Sequence, residues 1–465
     1  MALKQTTKYP RRIYPLNPKD LTEEQIAVAF AMTSRRPEPF DEIAKVVSQE
    51  KAADFHERWV LNYGHASVAE HAIIHMAVEN VSRLACDDLE DNRLGSYTEK
   101  SSRYQVLDRG SYHMPKEILG TQLEKPFAST CDFLFDEYHR MVDGVQAHLR
   151  KKSPQKDGEK DSAYNLRIRR WAIDSCRFLL PAATLTNVGV TMNARSMEHA
   201  ILKLLSSDLI EEQEIGALLK EESRKITPTL IKYAQPSDYL AATRRSQRDA
   251  ASGQTWNGNG SYSSVELVHW DSEAENKVAS AILYRYSGLP YQEVWNKVCG
   301  MSASEKENVL DIALNNLGPH DVPVRELESV DYTFDFVMDY GAYREYKRHR
   351  MQTYIPQPLT VDLGYVVPPL VEEAGLKNSF KAAMDKVVAA YALVAKENPR
   401  LAEYLVTHAH NRRILCKMNL RECYHLFKLR TQPQAHFTIQ EVAFKALDKV
   451  REKHALLFRH LQLRA

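Results

Sequence analysis

Apolar positions along this chain follow two rhythms, one near helical spacing and one alternating, and the same succession occurs twice. In the first half, Ile43, Val46, Val47, Phe55, Trp59 and Val60 fall near helical spacing and predict helix over 41–62. The run AIIHMAVENVS at 72–82 partly alternates and predicts a strand. A charged segment and a loop ending in proline follow. Then Phe127, Leu134, Tyr138, Met141, Val145 and Leu149 line one face of a long amphipathic helix. In the second half YTFDFVMDY (332–340) alternates like a strand, with GAYREYKRHR after it. LGYVVPP is a short apolar run ending in prolines, and Phe380, Met384, Val387, Val388, Tyr391 and Val394 line a further helix. Each half ends in a helical region with an Asn-x-Arg: Asn193-Ala194-Arg195 and Asn419-Leu420-Arg421.

Such a repeat is too long for a solenoid unit and reads as a diverged internal duplication. Residues 244–263, RRSQRDAASGQTWNGNGSYS, are polar and rich in Gly, Ser and Asn, and predict a linker or exposed loop. The expected organisation is a domain over 1–243, the linker, and a second domain over 264–465. The fold class expected is α+β (α/β mixed): two homologous domains, each an antiparallel or mixed sheet with long helices.

At 465 residues, more than one core is expected. The net charge of +1 gives no support for nucleic-acid binding, despite basic clusters such as RIRRW and RKITPTLIKY. No stretch approaches the ~18 apolar residues of a membrane span, and the first twenty residues have no apolar core of a secretory signal. Six scattered cysteines without a CxxC pair predict reduced thiols in a cytoplasmic protein and no metal site.

Glu99, Ser101 and Arg103 alternate, so an extended loop would turn an acceptor, a hydroxyl and a guanidinium toward one ligand. Arginine suits phosphate because its planar fork gives paired, charge-assisted hydrogen bonds. Taken singly, this trio also fits a solvated strand edge, and Arg348-His349-Arg350 fits a surface patch. There is no Walker A motif and no GxGxxG, and the chain has only 17 glycines.

Together the segments resemble the flavin-dependent thymidylate synthases. That family shows Gly-His-x-Ser/Thr-x-x-Glu-His, then Arg-His-Arg, then a Ser within Asn-Glu-x-Ser-x-Arg-Tyr, then an Asn-Ala-Arg-Ser helix leading to a further Arg. GHASVAEH, SYTEKSSRY and NARS follow in that order in the first half; RHR and NLRECYHLFKLR do so in the second. The resemblance implies reductive methylation of deoxyuridylate, with FAD as cofactor and NADPH and methylenetetrahydrofolate as co-substrates. It assigns Glu99, Ser101, Arg103, Tyr104, Arg177 and Arg430 to the nucleotide, and Arg348, Arg350 and Arg430 to the catalytic group. It places His65, Ser67, Glu70, Arg348, His349, Arg350, Asn193, Arg195, Asn419 and Arg421 toward the flavin. Ser101 has no neighbouring base to activate it and is assigned to binding.

The departures from the family pattern are complementary. In the first half the Arg-His-Arg slot reads Asp91-Asn92-Arg93 and the late Arg falls near Ser206, while Glu99, Ser101, Arg103 and Arg177 remain. In the second half Arg348-His349-Arg350 and Arg430 remain. There Pro356, Pro358 and Thr360 replace the Glu, Ser and Arg, the Arg177 slot falls near Glu403, and Gly318-Pro319-His320 only loosely keeps the first motif. Family members are homotetramers with sites between subunits. A composite site from both halves is therefore implied, in a homodimer that acts as a pseudo-tetramer of domains, with small-molecule nucleotide and folate as partners and neither nucleic acid nor membrane. A flavin- or nucleotide-binding pseudoenzyme stays open. So does a one-carbon transferase acting on another pyrimidine nucleotide, because Thr98 stands at the motif Asn and Asp91 and Asn92 replace Arg and His.

Overall fold

The computed structural model describes residues 12–16, 18–62, 66–253 and 263–464. They fall into two compact units. One is drawn from Met1–Val81, Asp88–Lys100 and Thr186–Gln254; the other from Ser82–Asp87, Ser101–Leu185 and Thr255–Ala465.

The first unit holds a three-stranded sheet in the order β1-β3-β2, where β1 is Ile73–Ser82, β2 is Gly95–Glu99 and β3 is Leu185–Asn193. β2 runs antiparallel to β3, with Gly95 opposite Met192 and Glu99 opposite Val188. Asn193 ends β3 and caps the helix Ala194–Leu205, its side chain accepting from the Ser196 N–H. The helix expected over 41–62 is interrupted. Phe40–Val46 stops, and Ser48 caps a new start at Gln49–Phe55 by accepting from the Lys51 N–H. A serine hydroxyl competes for backbone N–H groups and favours such a cap over a helix interior. A helix over Asp238–Ala251 takes up residues 244–251 of the expected linker. Its arginines and alanines are good helix formers that need no apolar face. Residues 254–262 of that segment lie outside the described residues.

The second unit repeats the strand order with one addition. Its antiparallel sheet is β4-β5-β7-β6: β4 Val265–Trp270, β5 Asp331–Asp339, β6 Gln352–Pro356 and β7 Asn411–Asn419. Gln352 lies opposite Met418 and Pro356 opposite Ile414. Superposing Asn193 on Asn419 therefore gives β6–β7 the register of β2–β3. The strand expected over 332–340 ends one residue early, because Asp339 caps the helix Tyr340–Tyr346 through the Ala342 N–H at 2.9 Å.

Long helices of both halves share this unit's core. Leu134, Tyr138, Met141 and Val145 of Glu124–Lys152 are buried in one cluster with Phe380, Met384 and Val387 of Lys377–Glu397. Beside it the halves pair backbone to backbone. Ala182 N–H donates to Val406 O and His408 N–H to Leu180 O; Ala183 N–H donates to Tyr404 O and Ala409 N–H to Phe178 O. Pro181 forms a bridge with Thr407. The superposition that matches Asn193 with Asn419 also matches Pro181 with Thr407, so each bond has its mirror partner. This is the isologous pattern of a two-fold interface, built inside one chain. No helix among the described residues is long and apolar enough to cross a membrane, and all six cysteines are free thiols.

Candidate functional site

The helix Asp161–Cys176 runs into a tight turn, Arg177–Leu179, which puts Asp174 and Arg177 three residues apart on one side. Arg103 clamps Asp174 with two bonds, Nε to Oδ1 at 2.9 Å and Nη2 to Oδ2 at 3.0 Å. Arg177, nearly buried, holds its Nε 3.3 Å from the same Oδ1. These are first-half residues. From the second half, the helix Tyr340–Tyr346 delivers Glu345 and the helix Leu420–Arg430 delivers Arg430 at its last turn. Glu345 Oε1 lies 3.4 Å from Arg177 Nη2 and 3.8 Å from Arg103 Nη1, and its Oε2 lies 3.5 Å from Arg430 Nη1. Arg430 Nη2 also donates to the Glu345 backbone carbonyl at 2.9 Å. Parts of both halves thus meet within one unit of one chain.

Electrostatics marks this as a crowded cationic site. Burial works against the charge of Arg103, but Asp174 and Glu345 outweigh it and raise its pKa. Arg430 goes the other way: burial, with Arg348 and Arg103 nearby, lowers its pKa against the pull of Glu345. His436 caps the helix Phe437–His454 with its Nε2 3.6 Å from Asp174 Oδ1. Burial, Arg177 and Arg103 push its pKa well below the ordinary value, so it stays neutral.

Arg348-His349-Arg350 divides between surface and interior: both arginines are exposed and His349 is buried. His349 Nε2 faces Arg430 Nε at 2.9 Å, and its Nδ1 faces Glu422 Oε1 at 3.0 Å. Burial, then Arg430, lowers the His349 pKa to about 3. Burial raises that of Glu422 to about 7, against the opposing effect of His425.

The chain turns after Glu99, the last residue of β2, and Ser101 Oγ accepts from the Arg103 N–H at 3.2 Å. The extended loop expected through Arg103 is therefore a serine-capped turn, since a hydroxyl readily bonds a backbone N–H two residues on. Tyr104 is exposed, with the Arg170 guanidinium 4.9 Å from its ring centre. In the first unit Glu70 pairs with Arg195 at 2.6 Å, and Ser67 lines a cleft of about 330 Å³ with Phe30, Phe55, Trp59 and His71. His65 lies outside the described residues. Asn419 caps its helix through the Glu422 N–H, and Arg421 binds Pro323 O and Glu328. Sequence reading passed over Asp174, Glu345, Glu422 and His436. The only signal for the first two was a carboxylate three residues before a singled-out arginine.

The family model described as "Thymidylate synthase complementing protein" matches residues 19–229 and again 266–454. The chain belongs to this family, that of the flavin-dependent thymidylate synthases, in a duplicated form. A UPF0159 protein of Chlamydia muridarum is 34% identical over 431 residues, covering 87% of this chain and 80% of its own. A flavin-dependent thymidylate synthase of Clostridium tetani is 28% identical over 217 residues, covering 46% of this chain and 83% of its own. A crystal structure of the Helicobacter pylori flavin-dependent thymidylate synthase, described as complexed with FAD and dUMP, matches 43% of this chain and 100% of its own. Its identity is 19% and its TM-score 0.32.

Proposed function

We propose that this chain methylates deoxyuridylate (dUMP) reductively to thymidylate (dTMP), using FAD, methylenetetrahydrofolate and NADPH, at a composite site supplied by both halves. The observation that carries this reading is the arginine cluster. Arg103, Arg177 and Arg430 stand around two carboxylates, Asp174 and Glu345. Three positive charges against two negative leave one in excess, and planar guanidinium forks suit the oxygens of a phosphate monoester.

Arg103, Arg177 and Arg430 bind and orient the nucleotide phosphate, with Ser101 and Tyr104 beside them and Glu99 at the end of β2. Holding a substrate in reactive geometry is itself a large part of such catalysis. Arg430 is aimed by His349, which Glu422 holds in turn. The chemistry of the donor set fits a flavin. Exposed Arg348 and Arg350 offer cations to an anionic ring edge, and neutral His349 behind them adds no charge. In the first unit, the pair Glu70–Arg195 and the aromatic cleft at Ser67 offer polar and stacking contacts. His65, Asn193, Asn419 and Arg421 complete the flavin-side set in this proposal. When bound, FAD supplies the hydride transfer that no side chain can perform.

The halves 1–243 and 264–465 are proposed as two homologous domains of a cytoplasmic homodimer, each chain carrying one site. Release of tritium from 5-tritiated dUMP by purified protein with FAD, NADPH and methylenetetrahydrofolate tests the chemistry. Release abolished by both Arg103→Ala and Arg348→Ala is the result expected. No release from folded, flavin-loaded protein would overturn the proposed reaction.

A further inference from the structure

We propose that Glu345 determines specificity at this site, admitting nucleoside monophosphates and turning away diphosphates; this rests on the nucleotide reading above. The two carboxylates of the cluster behave differently. Asp174 is tightly clamped by Arg103, with bonds of 2.9 and 3.0 Å. Glu345 touches three guanidiniums, at 3.4, 3.5 and 3.8 Å, all longer than the ~2.7–2.9 Å of a tight charge-assisted bond. It holds Arg177, Arg430 and Arg103 near one another without saturating any of them. Arg177 Nε is buried and has no hydrogen-bond partner, although Asp174 lies 3.3 Å away. The Glu345 side chain is only 9% exposed, so its charge is poorly screened.

A carboxylate so placed sets the number of negative charges the arginines can still accept. With Glu345 ionised, the three arginines keep one positive charge in excess of the two carboxylates, and a monophosphate of about −2 already uses it up. A diphosphate brings roughly one charge more, and Glu345 then faces that charge at short range in a poorly hydrated place. Glu345→Gln keeps the shape and the oxygen acceptor but removes the charge. Diphosphate affinity should therefore rise more than monophosphate affinity.

The experiment is calorimetric titration of the full chain with dUMP and dUDP, for the native protein, Glu345→Gln and Glu345→Asp. The native protein should bind dUMP more tightly than dUDP. Glu345→Gln should shift the ratio toward dUDP by about tenfold or more, and Glu345→Asp, which keeps the charge, should hold the native preference. Native protein that binds dUDP as tightly as dUMP overturns the proposal, and so does a ratio unchanged in Glu345→Gln; either leaves the nucleotide site standing. Native protein that binds neither ligand overturns the site reading and this inference with it. If Glu345→Gln fails to fold, Glu345→Ala, which also removes the charge, takes its place; it should shift the ratio toward dUDP, and an unchanged ratio overturns the proposal.

Discussion

The Nε–H of Arg430 donates to Nε2 of His349 across 2.9 Å. Arginine has only donors, so His349 must present a lone pair there and carry its proton on Nδ1, 3.0 Å from Glu422. The tautomer is thus fixed by its neighbours. Replacing His349 with Phe leaves the half-buried Arg430 and the buried Glu422 without this partner. The expected cost is about 1–3 kcal/mol of stability, together with weaker dUMP binding as Arg430 loses its aim. Urea unfolding and calorimetry check both; unchanged values for each would show that His349 merely fills space.

The same pair makes a statement about pH. In the unfolded chain Glu422 titrates near ~4.3 and His349 near ~6.5; in the folded chain they titrate at about 7 and about 3. Between roughly pH 4.3 and 6.5 the unfolded pair keeps its one proton on histidine and the folded pair keeps it on glutamate. The proton counts agree, so the pair gives almost no slope. Glu422→Gln leaves His349 alone with its depressed pKa, and stability should fall as pH drops below about 6.5. His349→Phe leaves Glu422 with its raised pKa, and stability should fall as pH rises from about 4.3 toward 7. The limiting slopes are about 1.4 kcal/mol per pH unit, opposite in sign. Urea midpoints across that range would expose two parallel slopes if the pairing is wrong.

Arg103 and Arg430 come from different halves yet face the same Glu345 of their own chain. Arg103→Ala should weaken dUMP binding about ten- to a hundredfold, the worth of hydrogen bonds to a charged group. Mixing Arg103→Ala chains with Arg430→Ala chains should restore no tritium release, because neither chain then holds a complete cluster. Recovered activity in the mixture would mean that the site is assembled between chains.

The second unit's core draws on helices of both halves, Glu124–Lys152 and Lys377–Glu397. Residues 264–465 expressed alone should expose that apolar face and aggregate or bind a hydrophobic dye; co-expression with 1–243 should recover soluble material. A cooperative, well-folded 264–465 fragment would contradict the shared core. Leu134→Ala in the whole chain should cost about 2–5 kcal/mol.

Reading the chain by pattern located β1, β5 and the long helices, because alternation and helical spacing are enforced by burial on one face. It missed the break at Ser48 and the helix through 244–251, where capping and propensity act without an apolar signal. Among site residues, the arginines stood out by motif. Asp174, Glu345 and Glu422 did not, because a carboxylate at helical spacing looks like any solvated face. They become specific only when folding lays them against arginines 71, 168 and 85 positions away, or against His349, 73 away.

The mirrored backbone bonds around Pro181 and Thr407 have a bearing on how such a chain can change by inheritance. Across the axis of an ordinary symmetric dimer, one codon is written on both sides, so every substitution arrives as a matched pair. Here each side has its own codon. Arg177 and Glu403 occupy corresponding places, and a glutamate could arise at one without erasing the arginine at the other. Two copies in one chain leave open routes of mutation that are closed to a dimer of identical subunits, where every change falls on both sides.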